Sequence, residues 1–229
     1  MVKGKLVQAD RVRQGVMTDW IKEPVFELKP EGFQNAVRDG NVILVTGMPE
    51  IVDNGIFNKS TNKFKLNFKQ PDIQTAVESG IYCLVAKMQL NFAASALTAD
   101  TAYSILGSML YIKKFSADSK VYLCMADGTT VAKKEITLAS GMTVTAIFSA
   151  LEIESAPKMA VGLVDASSEY ATNFGTEANY DITPSTIAFT TAGTTTEMFN
   201  SNALNICLQH LCLFDYNPQG FELKAALEG

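Results

Sequence analysis

The chain has 229 residues, 47% hydrophobic and 19% charged, with a formal net charge of −5. This composition can bury a core and excludes a disordered chain, while the acidic balance excludes a general nucleic-acid binder, which needs a basic face to neutralise phosphates. The longest uninterrupted apolar run, Ile81 to Ala86, is far too short to cross a membrane, so no membrane partner is expected.

Residues 1–54 differ in character from the rest of the chain. The opening MVKGKLVQADRVRQG carries charge but lacks the apolar stretch of a secretory leader, so the chain is expected to be soluble and made in the cytoplasm. The segment holds the only tryptophan, Trp20, and three of the seven prolines, Pro24, Pro30 and Pro49. Its patterning yields one strand, Asn41 to Thr46, and a helical turn at Glu31 to Arg38. Two readings fit: an extended arm that docks on a partner surface, or an extra edge strand and loop of the following domain. The working division takes 1–54 as the docking arm and 55–229 as the folded domain.

From Asn54 onward, strand follows strand. Phe64 to Phe68 alternates apolar and polar residues. Ile81 to Phe92 places Tyr82, Leu84, Ala86, Met88, Leu90 and Phe92 on one face, and the other face turns polar at Lys87, Gln89 and Asn91. A period of two marks a strand packed on one side. Tyr103 to Phe115 reads as a further strand with a bulge or bend at Gly107. Val121 to Ala126 returns through Asp127-Gly128, a favoured hairpin turn, into Thr129 to Ile136. Met142 to Leu151 and Lys158 to Val164 form another pair, and Thr186 to Thr191 is one more strand.

Ala203 to Phe214 closes the series. It runs into Asn217-Pro218, which reads as a helix cap followed by the first helical position of a C-terminal helix. Eight or nine strands with a single helical tail predict an all-β fold, an antiparallel β-sandwich of jelly-roll type with an extended N-terminal segment and a short C-terminal helix.

The cysteines are Cys83, Cys124, Cys207 and Cys212. All sit in apolar strand patterns and read as reduced core thiols. Strict alternation puts Cys207 and Cys212 on opposite faces, unable to share a metal. The lone histidine, His210, then shares a face with Leu204, Ile206, Leu208, Cys212 and Phe214 and reads as a hydrogen-bonded core residue rather than a base or ligand. No catalytic residue, metal or cofactor is expected.

Glu152 and Glu154 are the nearest approach to a paired-carboxylate site. Residues two apart on a strand lie about 6–7 Å apart, and retaining glycosidases need about 5–5.5 Å. Pro157 ends the strand soon after, so a solvated turn is the better reading. Asp165, Ser167, Ser168 and Glu169 form a polar cluster without the spacing of a calcium loop. The best ligand site is the loop-like stretch SEYATNFGTEANYD. There Tyr170, Phe174 and Tyr180 offer ring faces for sugars, and Asn173 and Asn179 offer hydrogen bonds.

Two segments carry a resemblance. Met142 to Leu151 is followed by MAVGLVDASS, and the chain ends in LCLFDYNPQGFELKAAL, Leu211 to Leu227. From Asn54 to Gly229 this order resembles the concanavalin-like jelly rolls, including the laminin-G-like group, with Ala166 where that group has glycine. The whole chain also resembles virion proteins of tailed bacteriophages, in which a non-globular N-terminal segment precedes a Thr/Ser/Ala-rich β domain. That resemblance implies a non-enzymatic virion component assembled in the host cytoplasm. Its partners would be other virion proteins and copies of itself. The alternative is a carbohydrate-binding module for a cell-surface glycan.

Overall fold

The computed structural model describes residues 22–57, 62–78, 81–127, 130–153, 156–165, 171–174, 180–181, 195–199 and 204–228. The alternation seen in the sequence becomes antiparallel pairing. The larger sheet has the spatial order β13 (Ala171–Phe174), β12 (Ala156–Asp165), β11 (Met142–Ile153), β6 (Tyr82–Leu90), β16 (Ile206–Phe214), β4 (Gly55–Phe57) and β3 (Glu50–Val52). β1 (Phe26–Leu28) also pairs with β16, and β14 (Tyr180–Asp181) with β12.

The opposing layer is built from two smaller sheets. One runs β10 (Thr130–Ile136), β9 (Val121–Asp127), β8 (Leu110–Lys114), β7 (Ala102–Leu106). The other runs β15 (Thr195–Glu197), β5 (Phe64–Asn67), β2 (Val42–Leu44). Residues 197–199 stitch them together: the Gly107 N–H donates to the Glu197 carbonyl at 2.9 Å, Phe199 N–H to Ile105 at 2.8 Å, and Met198 N–H to Phe64 at 3.0 Å. The result is an antiparallel two-layer β-sandwich.

One apolar core fills the space between the layers. β6 contributes Tyr82, Leu84, Ala86, Met88 and Leu90, the inner face that the alternation predicts. Phe148 and Leu213 meet it from the same sheet, and Leu66, Ile105, Ile112 and Leu123 come from the opposite layer. Burial of each large side chain stabilises the fold by about 1.5–3 kcal/mol before entropy is counted.

Three sequence expectations need correction. First, the described part of the N-terminal segment, 22–54, follows the edge-strand reading. Phe26, Leu28, Phe33, Ala36 and Val42 are buried in the common core. Residue 54 lies in the turn joining β3 to β4, which pair with each other. Residues 1–21, with Trp20, fall outside the described set.

Second, Tyr103 to Phe115 is not one strand but the hairpin β7–β8. Its turn is made by Gly107 at φ 55°, a left-handed conformation that glycine adopts without a Cβ clash. Third, the C-terminal helix, α3 (Gly220–Glu228), starts two residues after Pro218. Its cap is the Glu222 carboxylate, which accepts the Gln219 N–H at 2.8 Å and the Tyr216 hydroxyl at 2.9 Å, the reach-back half of a capping box.

Of two further helices, the first falls on the helical turn read at Glu31 to Arg38 and the second goes beyond the sequence pattern. α1 (Phe33–Arg38) buries Phe33 and Ala36, and α2 (Pro71–Glu78) buries Ile73 and Ala76. α2 opens on a proline, whose missing N–H costs nothing in the first turn. All four cysteines are free and buried, as expected. No helix among the described residues is long and apolar enough to cross a membrane. The expected strand Thr186 to Thr191 lies outside the described residues.

Candidate functional site

The outer face of the larger sheet has two halves. Toward one end, Cys83, Val85, Ile147, Val164, Cys212 and Phe214 form a second apolar cluster. α3 covers it through Leu223, Ala226 and Leu227. Toward the other end the same face turns polar.

The change of character depends on β16. Leu208 pairs with Met88 and His210 with Lys87, so Gln209 is an extra residue, a β-bulge. A bulge breaks the period of two. Ile206 and Leu208 point inward, as do Leu211 and Leu213 beyond the bulge. His210 and Cys212 therefore point outward with Lys87 and Val85. Strict alternation places His210 beside Leu208, and the structure overturns that. It also places Cys207, opposite Gln89, on the same outer face as Cys212, opposite Val85. Four register positions separate the two thiols, about 13 Å by strand rise, so they still cannot share an ion.

β1 completes the cluster. Phe26 and Leu28 enter the core, which turns Glu27 outward, directly opposite Cys212. His210 Nε2 lies 2.7 Å from Glu27 Oε1 and 3.2 Å from Cys212 Sγ. Lys29 Nζ sits 3.2 Å from the same Glu27 oxygen. His210 is 4% exposed and Cys212 fully buried. A polar cleft of about 380 Å³ opens alongside, lined by Lys29, Glu31, Asp53, Lys87, Gln209 and His210 among others.

The electrostatics follow from burial. Desolvation pushes the His210 pKa below its ordinary value, although the hydrogen bond and charge of Glu27 pull the other way. Desolvation pushes the Cys212 thiol far up, and the Glu27 carboxylate adds to the effect. A thiol held protonated is a poor nucleophile. The geometry is also wrong for a relay triad, since Glu27 and Cys212 both approach the same imidazole nitrogen. A relay needs the orienting carboxylate on one ring nitrogen and the nucleophile on the other.

The sequence-derived glycan residues sit elsewhere, at the far edge of the larger sheet. Asn173 and Phe174 lie on β13 opposite Leu163 and Gly162, and Tyr180 lies on β14 opposite Met159. Three of the five positions thus gather along one strand, β12. Tyr170 and Asn179 lie outside the described residues. Glu152 is on β11 opposite Pro157, and Asp165 on β12 opposite Ala171. Glu154 and residues 167–169 lie outside the described set. Glu27 escaped the sequence reading because 183 residues separate it from His210. The bulge did leave a trace, since Leu208, Leu211 and Leu213 are spaced three and then two.

Several solved structures share this architecture. The binding domain of botulinum neurotoxin DC, in complex with SialylT, aligns with a TM-score of 0.53 at 8% identity, over 80% of this chain and 45% of that one. A receptor binding domain aligns at 0.52 and 9%, over 80% and 44%. A botulinum neurotoxin type C structure, from a toxin whose cell entry depends on interaction with two ganglioside molecules, aligns at 0.52 and 9%, over 80% and 45%. This chain spans less than half the length of each. No family model matches the chain, and no curated protein matches it in sequence. Likeness at such low identity establishes the fold alone, and that fold is an antiparallel β-sandwich of the kind found in these binding domains.

Proposed function

We propose that the chain is a non-enzymatic binding module whose concanavalin-like β-sandwich recognises a glycan. The observation that carries this reading is the likeness of the sandwich to toxin binding domains, one held with SialylT and one from a toxin that depends on gangliosides. The absence of relay geometry at His210 supports the non-enzymatic part. The site is assigned to the β12 edge, where β13 and β14 bring Asn173, Phe174 and Tyr180 along one strand and the intervening chain carries Tyr170 and Asn179. Aromatic rings stack on the apolar faces of sugars and amides take up their hydroxyls. No observation on the fold or its neighbours favours a virion role over this one.

A glycan array with sialylated and neutral sugars tests the reading. Binding to a defined subset is expected, and Tyr170→Ala and Tyr180→Ala each weaken it by about tenfold or more, the loss of one stacking contact of at least ~1.4 kcal/mol. No binding to any sugar overturns the function. Binding that survives both substitutions overturns the placement of the site.

A further inference from the structure

We propose that Glu27, His210 and Cys212 form a binding site for a divalent transition-metal ion, with Zn²⁺ the best match to the donors. The inference rests on side-chain geometry and does not depend on the glycan reading.

Each residue offers one donor of a different kind: a carboxylate oxygen, Nε2 and Sγ. All three atoms lie within 4.8 Å of one another. The fold makes this convergence obligatory. His210 and Cys212 are two apart on one face of β16, and Glu27 is the direct cross-strand partner of Cys212. Around tetrahedral zinc, with bonds of about 2.0 Å to N or O and 2.3 Å to S, neighbouring donors stand about 3.3–3.5 Å apart. The present spacings of 2.7 and 3.2 Å need to open by about 0.3–0.6 Å, and the Glu27-to-Cys212 spacing, within 4.8 Å, settles at a similar value. Mixed S, N and O donors suit zinc and disfavour magnesium and calcium, which take oxygen alone.

Binding rearranges protons in a defined way. A carboxylate oxygen only accepts, so in the metal-free cluster Nε2 carries the proton shared toward Glu27. On coordination the Cys212 thiol proton leaves to solvent, and the imidazole proton moves to Nδ1, freeing the Nε2 lone pair. The Lys29 ammonium leaves Glu27 Oε1. Its side chain is 26% exposed, so it turns into water at small cost. Three protein ligands leave a fourth position, which water or a carboxylate of the adjoining cleft can take. Asp53 and Glu31 both line that cleft.

The test uses the full chain, metal-stripped and reduced, titrated with Co²⁺ and then Zn²⁺. One Co²⁺ per chain is expected, with a thiolate-to-cobalt charge-transfer band that Zn²⁺ abolishes. Cys212→Ser removes the band, and His210→Ala weakens Zn²⁺ binding by more than about 100-fold, beyond the roughly 10–100-fold that losing a supporting contact costs. Cys207→Ser, on the same face but outside the cluster, retains both band and stoichiometry. Circular dichroism of each variant guards against reading a folding defect as a lost site, and Glu27→Gln, at an exposed position, gives an intermediate loss in a chain that stays folded. No Co²⁺ binding by the wild-type chain overturns the proposal. So does a charge-transfer band that persists in Cys212→Ser or disappears in Cys207→Ser.

Discussion

The two faces of the larger sheet are made by the same strands and behave as different materials. The inner face of β6 is apolar from Tyr82 to Leu90, and every one of its side chains is buried in a core shared with the opposite layer. The outer face begins apolar under α3, at Cys83 and Val85, and becomes charged at Lys87. The inner face specifies the fold, because each side chain there has partners on all sides and no tolerance for a shift of register. The outer face has room for chemistry, because beside α3 it opens onto the polar cleft lined by Lys29, Lys87 and His210. The bulge at Gln209 serves both demands: it keeps Leu208, Leu211 and Leu213 inward and sends His210 and Cys212 outward.

The contrast can be broken in order of severity. Deleting Val85 from β6 moves every later side chain of the strand to the opposite face. The cost exceeds the whole stability of an ordinary domain, about 5–15 kcal/mol, and the chain fails to fold by circular dichroism. Phe148→Ala empties a fully buried site on the inner face and lowers stability by about 3–5 kcal/mol in denaturant unfolding.

Gly55→Ala probes the outer face. A Cβ there would overlap Cys207 Sγ, while Cys207 Cβ stands 3.6 Å away. The single variant loses about 1–3 kcal/mol, as overpacking does. Adding Cys207→Ala returns the double variant to the level of Cys207→Ala alone. Deleting Gln209 is milder, about 1 kcal/mol, because the strand then regains regular alternation with His210 and Cys212 still outward. A chain that unfolds on losing Gln209 contradicts the bulge.

The smallest effect is a pH slope. His210 has a lowered folded pKa, so the unfolded chain takes up this proton at higher pH than the folded one. Its contribution to stability is complete above pH 6.5 and is lost as pH falls from there through the folded midpoint. His210→Gln removes that part of the stability–pH curve and leaves the rest.

Much of the sandwich was legible because a period of two survives in β5, in β10 and beyond Val85 in β6, while β9, β11 and β12 are buried on both faces and read as apolar runs. Other elements were hidden for physical reasons. β1 is three residues long, and it is a strand only because β16 pairs with it. β7 and β8 run together in the pattern since both arms are apolar and Gly107 is a turn only by virtue of its left-handed φ. The cluster at His210 was partly written in the chain, with Cys212 two residues away. The bulge that decides its face, and the carboxylate that completes it, are consequences of tertiary pairing. The residues proposed to bind a glycan stand out by composition alone, and pairing brings three of them, Asn173, Phe174 and Tyr180, to the edge of β12.

The most direct measurement exploits the single histidine. The chain yields one imidazole titration by nuclear magnetic resonance, and it belongs to His210. A histidine buried on the outer face beside Glu27 titrates below 6.5, and lower again in Glu27→Gln, where the carboxylate that favours the protonated ring is gone. A midpoint at or above 6.5, or one that Glu27→Gln leaves in place, contradicts the arrangement of β1 and the bulged β16 on which the site depends.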